Sequence, residues 1–403
     1  MKKTIISLAI ASLFTASAAY AKDFVLTDVA TNTEVSTWKT SSTELGLKDA
    51  PSFTIEKKTL HGGKQEGSTL LTIKTDNLEV SVIPTRGMNI YEMKSGDVRY
   101  GWKSPVDEIV NPAYMNLEMR NGLGWLDGFN EMMVRCGYEW TGHPGQENGK
   151  LMSLHGRAGN TPASRVIVSI DEQAPYAIHL KGLVKENTFK LSALATETQL
   201  TLVPGEKAIH IHDELTNNSD YDRDYQIIYH SNFGMPILEE GAKFSAPTKE
   251  ISPFNDYAKA GLKTWQTYLA PTKGYDEMVF NLIPFTDNAG KTTAMLHNKA
   301  ANKGVAISFD THQLPALTLW KNTDTVNQGY VTGIEPGTSY AYPRQIERKQ
   351  GRVKTLAPFG KQTFDLTYQV MTTTDEVAGV QKTIDAITAG RETKLVSKPM
   401  AKE

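Results

Sequence analysis

Hydrophobic and polar residues alternate along much of this chain of 403 residues. The alternation begins clearly at 53–56 and continues through 70–74 and 78–83, with Asp76 and Asn77 between the last two segments. A period of two is typical of strands that bury one face. The pattern therefore predicts three strands, of which the second and third form a hairpin.

The same alternation returns after residue 163, with turn residues between the segments. The predicted strands are 165–170, 177–183, 188–195, 197–202, 208–215, 225–229, 293–296, 304–309, 316–320 and 362–370. Strands spaced about ten residues apart, with few helical windows, favour an all-β, antiparallel sandwich. One helix is predicted after them, capped by Thr374 or Asp375, with an apolar stripe formed by Val377, Val380, Ile384 and Ile387.

The segment 101–150 breaks the alternation. Glycines and asparagines are interleaved there with aromatic residues, among them Trp102, Trp125, Phe129, Tyr138 and Trp140. Neither a strand period nor a helix period is visible, which predicts a long excursion of loops. Loops of this length inside a compact domain are usually functional.

The N-terminal residues have the pattern of an export signal. Two lysines precede an apolar run at 5–14, and Ala-Tyr-Ala at 19–21 is a small-x-small cleavage site. This pattern predicts a bacterial signal peptide over 1–21, with Lys22 as the first mature residue, and a periplasmic location. We expect a soluble mature chain, because no later segment reaches ~18 apolar residues.

Composition narrows the function. The net charge is −2 and no basic run is present, which argues against nucleic acid or an anionic membrane as a partner. The single cysteine, Cys136, fits an exported protein without disulfides, and a buried, inert thiol is the expected state. We expect an N-terminal extension, 22–60, packed on one main domain, 61–396; the sequence leaves the oligomeric state open.

Glu335 is the first candidate for chemistry. It ends an apolar strand, 330–334, and is followed by the turn residues Pro336 and Gly337. Burial raises the pKa of a carboxyl, and a general base works best with a pKa near the operating pH. A surface glutamate before a turn is the alternative interpretation of this stretch.

Three further segments place polar residues at corners marked by glycine or proline. They contribute His155 with Arg157, then His230, then Asp276. Each alone is a weak signal, because a lone histidine more often has a structural role.

Metal and nucleotide motifs are not apparent. His210 and His212 face one side of a strand, but no third ligand lies nearby in the sequence, so we interpret them as structural or surface residues. No Walker, dinucleotide or zinc motif is visible, and neither a cofactor nor a metal is predicted. A structural metal held by loop carboxylates such as Asp127 and Glu131 stays open.

Taken together, the order of these segments resembles that of galactose mutarotases (aldose 1-epimerases). A His-Gly turn, a His-x-x-Phe segment, a Gly-Tyr-Asp turn and a late glutamate follow one another. The chain is most similar to a branch labelled "aldose epimerase family protein". The similar segments are 84–88, 125–131, 134–137, 154–157, 320–322 and 332–338, and the resemblance spans about 65–370.

This resemblance implies a β-supersandwich that binds a mono- or small oligosaccharide in a groove. By motif, Glu335 matches the general base, His230 the general acid, His155 a histidine near the sugar's ring oxygen, and Asp276 a residue that binds hydroxyls. Asn232 and Lys321 lie in or beside matching segments and are also expected to bind substrate. Acid and base together open and reclose the sugar ring without a metal or nucleotide.

The chain also departs from the family. Mutarotases carry an asparagine-arginine motif before the first histidine, for which only Arg86 and Arg135 are rough substitutes here. The arginines in or beside the similar segments are Arg86, Arg135, Arg157 and Arg344. Arginine suits a carboxylate or sulfate, so we hypothesise an acidic sugar. The alternative is that the arginines pair with the loop carboxylates Asp127, Glu131 and Glu139.

Two other functions stay open at this point. A binding protein could keep the groove without turnover. A lyase-like or isomerase-like activity on an oligosaccharide is also compatible, because one fold can serve several functions.

Overall fold

The computed structural model describes residues 21–400; the predicted signal peptide lies outside them apart from Ala21. Within these residues strands are the commonest regular element and nearly all belong to two large sheets, which confirms the predicted all-β, antiparallel supersandwich. In chain order the strands are β1 (Ala21–Asp28), β2 (Thr33–Glu34), β3 (Thr37–Ser41), β4 (Phe53–Thr59), β5 (Thr69–Thr75), β6 (Glu79–Ile83), β7 (Asn89–Ser95), β8 (Val98–Tyr100), β9 (Met133–Tyr138), β10 (Gly145–Glu147), β11 (Lys150–Met152), β12 (Arg165–Asp171), β13 (Ile178–Thr188), β14 (Ser192–Leu202), β15 (Ala208–Asn217), β16 (Arg223–Phe233), β17 (Lys243–Ser245), β18 (Thr248–Pro253), β19 (Met278–Pro284), β20 (Lys291–His297), β21 (Gly304–Asp310), β22 (Ala316–Asn322), β23 (Val331–Gly337), β24 (Lys354–Leu356), β25 (Lys361–Met371) and β26 (Lys394–Leu395).

The two sheets have different orders. The ten-stranded sheet runs β17-β20-β21-β25-β15-β14-β13-β12-β1-β2. The fourteen-stranded sheet runs β26-β18-β19-β22-β23-β16-β9-β7-β6-β5-β4-β3, with β24 beside β16 and β8 beside β7. Strands β10 and β11 form a separate hairpin. The paired strands are antiparallel except for β18 with β26.

Short helical segments connect the strands. They are α1 (Met119–Gly122), α2 (Val326–Gly329), α3 (Arg344–Lys349) and α4 (Thr374–Thr388), with 3-10 turns at Gly63–Gln65, Pro112–Tyr114, Gly124–Gly128, Ala158–Asn160 and Tyr257–Gly261. None of the helices within residues 21–400 has the length and apolar character needed to cross a membrane.

Helix α4 is the predicted helix, and Val377, Val380 and Ile384 of its predicted apolar stripe are buried. The fourth residue of that stripe, Ile387, is half-buried. The cap of α4 is one or two residues earlier than predicted, at Thr373. The Thr373 hydroxyl accepts the Glu376 N–H at 3.2 Å, and the Glu376 carboxylate accepts the Thr373 N–H at 3.1 Å. This capping box satisfies two backbone donors at the helix start.

The main core lies between the two sheets, and strand alternation decides what reaches it. On β16, Tyr229 points into the core, where its hydroxyl donates to Asp213 of β15 at 2.7 Å. The next residue, His230, therefore points to the opposite face of the sheet. On β23, Ile334 lies in the core and Glu335 points away from it in the same manner.

Two strand predictions were wrong. The segments predicted as strands 188–195 and 197–202 are not two strands, because β13 runs on to Thr188 and β14 is continuous from Ser192. The turn between them contains Lys190 at φ 62°. Strand β9 lies inside the segment predicted to be loops. All six of its residues are buried, and a strand buried on both faces shows no alternation to detect.

The N-terminal segment 22–60 takes part in both sheets. Its strand β1 pairs with β12, while β3 and β4 continue the fourteen-stranded sheet beside β5. The segment that we expected to pack on the main domain therefore supplies edge strands through backbone hydrogen bonds.

Candidate active site

His230 and Glu335 are neighbours across two strands. The β16–β23 register pairs Ser231 with Ile334 and Asn232 with Gly333, which places His230 opposite Glu335. His230 Nε2 lies 3.3 Å from Glu335 Oε1, and the two side chains are only 6% and 2% exposed. Two residues separated by about a hundred positions in the sequence thus form one buried acid–base pair.

Asn232 determines which nitrogen of His230 carries hydrogen. Its amide nitrogen donates to the backbone carbonyls of Glu131 at 3.1 Å and of His230 at 3.2 Å, which sets the orientation of the amide. Its oxygen is then 2.7 Å from His230 Nδ1 and accepts that N–H. This network assigns hydrogen to Nδ1, so in the neutral ring Nε2 faces Glu335 with its lone pair.

Burial shifts the pKa values of His230 and Glu335 in opposite directions. It lowers the pKa of His230 to about 4, since the positive ring is poorly solvated. Burial also raises the pKa of Glu335 well above its usual value, and the charge of Glu277 adds to the effect. Both shifts favour the neutral form of the group, and the contact between Oε1 and Nε2 allows one proton to pass between them.

His155 completes a group of two imidazoles. It sits in a left-handed turn at φ 58°, where its N–H donates to the Gly142 carbonyl at 2.8 Å. Its ring centre is 5.1 Å from that of His230 and 4.8 Å from that of Trp125. Burial lowers the pKa of His155 well below its usual value. Within residues 21–400 its buried Nδ1 has no hydrogen-bond partner, so it can bind a ligand hydroxyl.

These groups face a cavity of about 150 Å³. Strands β16, β22 and β23 form its floor, and the segment 123–129 covers it. The remaining lining residues are Leu123, Leu126, His143, Leu154, Val279, Thr318 and Ala341. The loop excursion noted in the sequence therefore contributes much of the wall of the cavity.

Aromatic rings surround the imidazole of His230. The ring centres of Phe129, Trp320 and Trp125 lie 5.4, 5.5 and 5.9 Å from it. The Trp320 indole N–H donates to Glu277 Oε2 at 2.7 Å, which holds that ring in place. Apolar walls with a few convergent polar groups are characteristic of small-molecule sites, and aromatic faces suit the C–H faces of a sugar ring.

The sequence suggested that Asp276 binds the sugar, but its neighbour Glu277 is the acid that reaches the cavity. Asp276 is exposed and accepts the Glu277 N–H at 2.9 Å, and it is not among the residues that line the cavity. Glu277 lines it instead. The residue after the Gly-Tyr-Asp turn thus lines the cavity, and nothing in the sequence indicated which of the two adjacent acids does so.

Two predicted arginines lie inside the protein, away from the cavity. Arg86 bonds to Glu131 at 2.7 Å and Arg135 to Asp213 at 2.6 Å, and all four side chains are fully buried. Neither guanidinium lines the cavity. The pairing of Arg86 with Glu131 agrees with the alternative interpretation, in which the arginines pair with carboxylates of the loop segment.

The other two arginines are also paired with acids. Arg157 bonds to Glu139 at 3.4 Å and to Glu186 at 3.0 Å. Arg344 bonds to Asp224 at 3.1 Å. The pairing of Arg157 with Glu139 again matches the alternative interpretation, whereas the substrate-binding role of these arginines stays a prediction.

The two polar residues expected beside them support the floor of the site. Asn232 orients His230, as described above. Lys321 points away from the cavity, and its ammonium group donates to the carbonyls of Thr264, Trp265 and Thr267 at 3.3, 3.0 and 2.8 Å. Burial lowers the pKa of Lys321 to about 8.

Three other residues noted in the sequence lie outside the cavity. His210 and His212 line an open groove of about 320 Å³ on the ten-stranded sheet, where His212 bonds to Asp365 at 2.7 Å. In the described part of the chain, no three His, Cys, Asp or Glu side chains are grouped as metal ligands would be. Cys136 is fully buried, and burial raises the pKa of its thiol well above the usual value, as expected of an inert cysteine.

Comparison with known proteins agrees with this fold. Residues 65–370 match the family described as "Domain of unknown function (DUF4432)". A crystal structure of a "putative aldose 1-epimerase" from Klebsiella pneumoniae is 58% identical and superposes with a TM-score of 0.94, covering 95% of this chain and 100% of that one. No curated protein matches the chain.

More distant structures share the fold alone. A galactose mutarotase-like protein from Clostridium acetobutylicum is 16% identical with a TM-score of 0.52, over 84% of this chain and 99% of that one. A galactose mutarotase related enzyme from Lactobacillus acidophilus is 15% identical with a TM-score of 0.51, over 76% of this chain and 98% of that one.

Proposed function

This chain belongs to the family described as "Domain of unknown function (DUF4432)" and has the galactose mutarotase-like fold, and from that premise we propose that it is a carbohydrate mutarotase. It interconverts the two anomers of a free sugar by general acid–base catalysis. The observation that carries the proposal is the contact between His230 and Glu335, which lie 3.3 Å apart in a cavity of about 150 Å³.

The reaction needs one proton taken and one given. Glu335, as carboxylate, accepts the proton of the anomeric hydroxyl, and His230 gives the proton on Nε2 to the ring oxygen. The bond between the anomeric carbon and the ring oxygen breaks, and the anomeric carbon becomes an aldehyde. Rotation about the next carbon–carbon bond turns the aldehyde, and the same steps in reverse close the ring to the other anomer. The protein ends with the proton number it began with.

The geometry suits this exchange, because the two oxygens that react are bonded to the same carbon. An acid and a base already in contact can therefore reach both oxygens. Burial favours the neutral carboxyl and the neutral imidazole, so a sugar hydroxyl that donates to Glu335 must favour transfer of the proton from Glu335 to His230. The buried Nδ1 of His155 and the hydroxyl of Thr318, which lack partners within residues 21–400, bind further sugar hydroxyls.

The charge of the cavity bears on the sugar. Its ionisable wall residues are Glu335, Glu277 and three histidines, with no lysine or arginine among the lining residues. This supports a neutral sugar, and the acidic sugar suggested by the arginines stays a prediction that the same experiment tests. We further propose that the enzyme acts in the periplasm, on the basis of the pattern of residues 1–21.

Anomer exchange measured by NMR tests the proposal. We expect faster exchange for at least one neutral monosaccharide, and loss of at least about 100-fold in rate with Glu335→Gln, which removes the base. Glu250→Gln, at a surface ion pair with Lys394, is the matched control and should keep the full rate.

The alternatives give different results. Chemical-shift changes on sugar binding, without faster anomer exchange, would show that the protein binds the sugar but is not an enzyme for this reaction. A product absorbing in the ultraviolet from an oligosaccharide would instead identify a lyase. Equal rates for Glu335→Gln and the unsubstituted protein would refute the assigned base.

A further inference from the structure

We infer that the preferred substrate carries a hydrogen or a methyl group, not a hydroxymethyl or carboxylate, on the ring carbon next to the ring oxygen. The substrate class is thus a pentopyranose or a 6-deoxyhexopyranose. This inference rests on the proposed function, since it places the sugar by the proton transfers at His230 and Glu335. Three properties of the cavity carry it.

The first property is the surroundings of His230. The imidazole that protonates the ring oxygen must lie beside it, so the carbon on the far side of that oxygen and its substituent enter the same surroundings. These include the rings of Phe129, Trp320 and Trp125, whose centres lie between 5.4 and 5.9 Å from the imidazole. The ring of His155, at 5.1 Å, is the polar neighbour, and its Nδ1 is assigned above to another hydroxyl of the sugar. The one polar atom of the Trp320 ring already donates to Glu277.

A methyl group can pack against these rings, whereas a hydroxyl placed there loses its hydrogen bonds to water and gains none from the rings. A polar group buried without a hydrogen-bond partner is unfavourable. Apolar pockets reject an analogue with an added hydroxyl by up to about 100-fold. The aromatic wall therefore favours the deoxy sugar over its hydroxymethyl analogue.

The second property is charge. A carboxylate at this carbon would lie beside the pair that contains Glu335, and Glu277 is a second carboxylate in the wall. Two cationic side chains that the sequence suggested for substrate binding point elsewhere. Lys321 binds three backbone carbonyls, and Arg135 binds Asp213 deep between the sheets. A uronate would meet repulsion without a compensating cation.

The third property is size. The cavity of about 150 Å³ is smaller than the roughly 300 to 1,000 Å³ of sites for drug-sized ligands. Removing the hydroxyl, or the whole substituent, from a hexose shortens the ligand in the direction of the aromatic wall. A small cavity and an apolar wall thus select the same sugars.

The test compares sugars that differ only at this carbon. One series is L-arabinose, D-fucose, D-galactose and D-galacturonate, and a second is D-xylose, 6-deoxy-D-glucose, D-glucose and D-glucuronate. The pairs L-fucose with L-galactose and L-rhamnose with L-mannose extend the comparison to other configurations. NMR exchange rates at equal sugar concentration, and dissociation constants from titration of Glu335→Gln, are measured for each.

We expect the hydrogen or methyl member of the active series to exceed the hydroxymethyl member by about tenfold or more, and the uronate to be inactive. Equal or higher rates for the hydroxymethyl sugar, or the uronate, would overturn this inference and leave the mutarotase function intact. Absence of acceleration for every sugar would refute the proposed function itself.

A variant locates the selecting wall. Phe129→Tyr adds one hydroxyl to a ring whose centre lies 5.4 Å from that of His230 and should reduce the preference for the methyl sugar at least about threefold. Phe359→Tyr makes the same change at an exposed ring and should leave the preference unchanged. An unchanged preference in Phe129→Tyr, with its thermal stability kept, would overturn the placement of the substituent against this wall.

Discussion

His230 and Glu335 face each other across β16 and β23, with 3.3 Å between Nε2 and Oε1. Burial acts on the two groups in opposite directions, since it disfavours the positive ring and the negative carboxylate alike. Both groups are therefore favoured in their neutral forms, and their contact gives a proton a direct path from one to the other. Such a pair can supply an acid and a base at the same pH.

The orientation of His230 depends on Asn232, so we predict that Asn232→Ala lowers the exchange rate about tenfold while KM changes little. The loss of the acceptor at 2.7 Å frees the ring to rotate and to move its hydrogen to Nε2. Steady-state exchange rates as a function of sugar concentration separate the two constants. Asn288→Ala, at an exposed position, is the control.

A change of the pH profile distinguishes this positioning role from general loss of structure. Asn232→Asp places a negative charge beside Nδ1, which raises the pKa of His230. The acidic limb of the rate profile should then move to higher pH. A profile identical to that of the original protein would contradict the role of Asn232.

His155 offers its buried Nδ1 to the ligand, so we predict that His155→Phe weakens sugar binding about fivefold, the usual effect of one lost hydrogen bond. The exchange rate at saturating sugar should fall much less. Titration calorimetry and saturation kinetics measure the two effects. His312→Phe, at an exposed histidine, should leave both unchanged, and equal affinity in the two variants would rule out contact of His155 with the sugar.

The lowered pKa of His230 predicts a pH dependence of stability. The folded protein holds this group at a pKa of about 4 against an ordinary 6.5, so between these values the unfolded chain binds more protons. The free energy of unfolding therefore rises as the pH increases from 4 to 6.5, by about 3 kcal/mol for this group. This gain in the free energy of unfolding is lost again as the pH falls from 6.5 to 4.

Urea unfolding of His230→Gln and of the original protein at pH 4 to 7 measures this contribution. The variant should show a shallower rise with pH, whereas His210→Gln, at an exposed histidine, should keep the full slope. Parallel curves for His230→Gln and the original protein would show that the buried ring is not the source.

The buried pair of Arg135 and Asp213 predicts a large loss of stability without a change of specificity. Arg135→Met leaves Asp213 buried without its cation and should destabilise the fold by about 3–5 kcal/mol. Arg165→Met removes an exposed ion pair with Glu197 and should change stability by less than about 1 kcal/mol.

Thermal unfolding gives both values, and exchange rates at a temperature where Arg135→Met is folded give the ratio of acidic to neutral sugar. We expect this ratio to be unchanged, because the guanidinium does not line the cavity. A selective loss of acidic sugars would revive the hypothesis that Arg135 recognises a carboxylate.

Local patterns in the sequence were enough to predict the strands that bury one face and helix α4. Their period is a direct consequence of burying one side of an element. The same patterns failed for β9, because its six residues are all buried and no polar face marks the period. The boundary at 188–192 was missed because a tight turn with Lys190 at φ 62° interrupts no alternation.

For the candidate site as well, some features could be predicted from the sequence and others could not. The sequence by itself determined its main residue types, since Glu335, His230 and His155 all carry a recognisable local setting. Only the tertiary structure decided their partners, because a strand register brings His230 to Glu335 and a backbone turn aims His155 at them. It also decided that Glu277 rather than Asp276 lines the cavity and that Arg86 and Arg135 bind buried acids. A charged side chain has the same local pattern whether its partner is a substrate or another residue of the fold, and only the pairing of distant strands distinguishes the two.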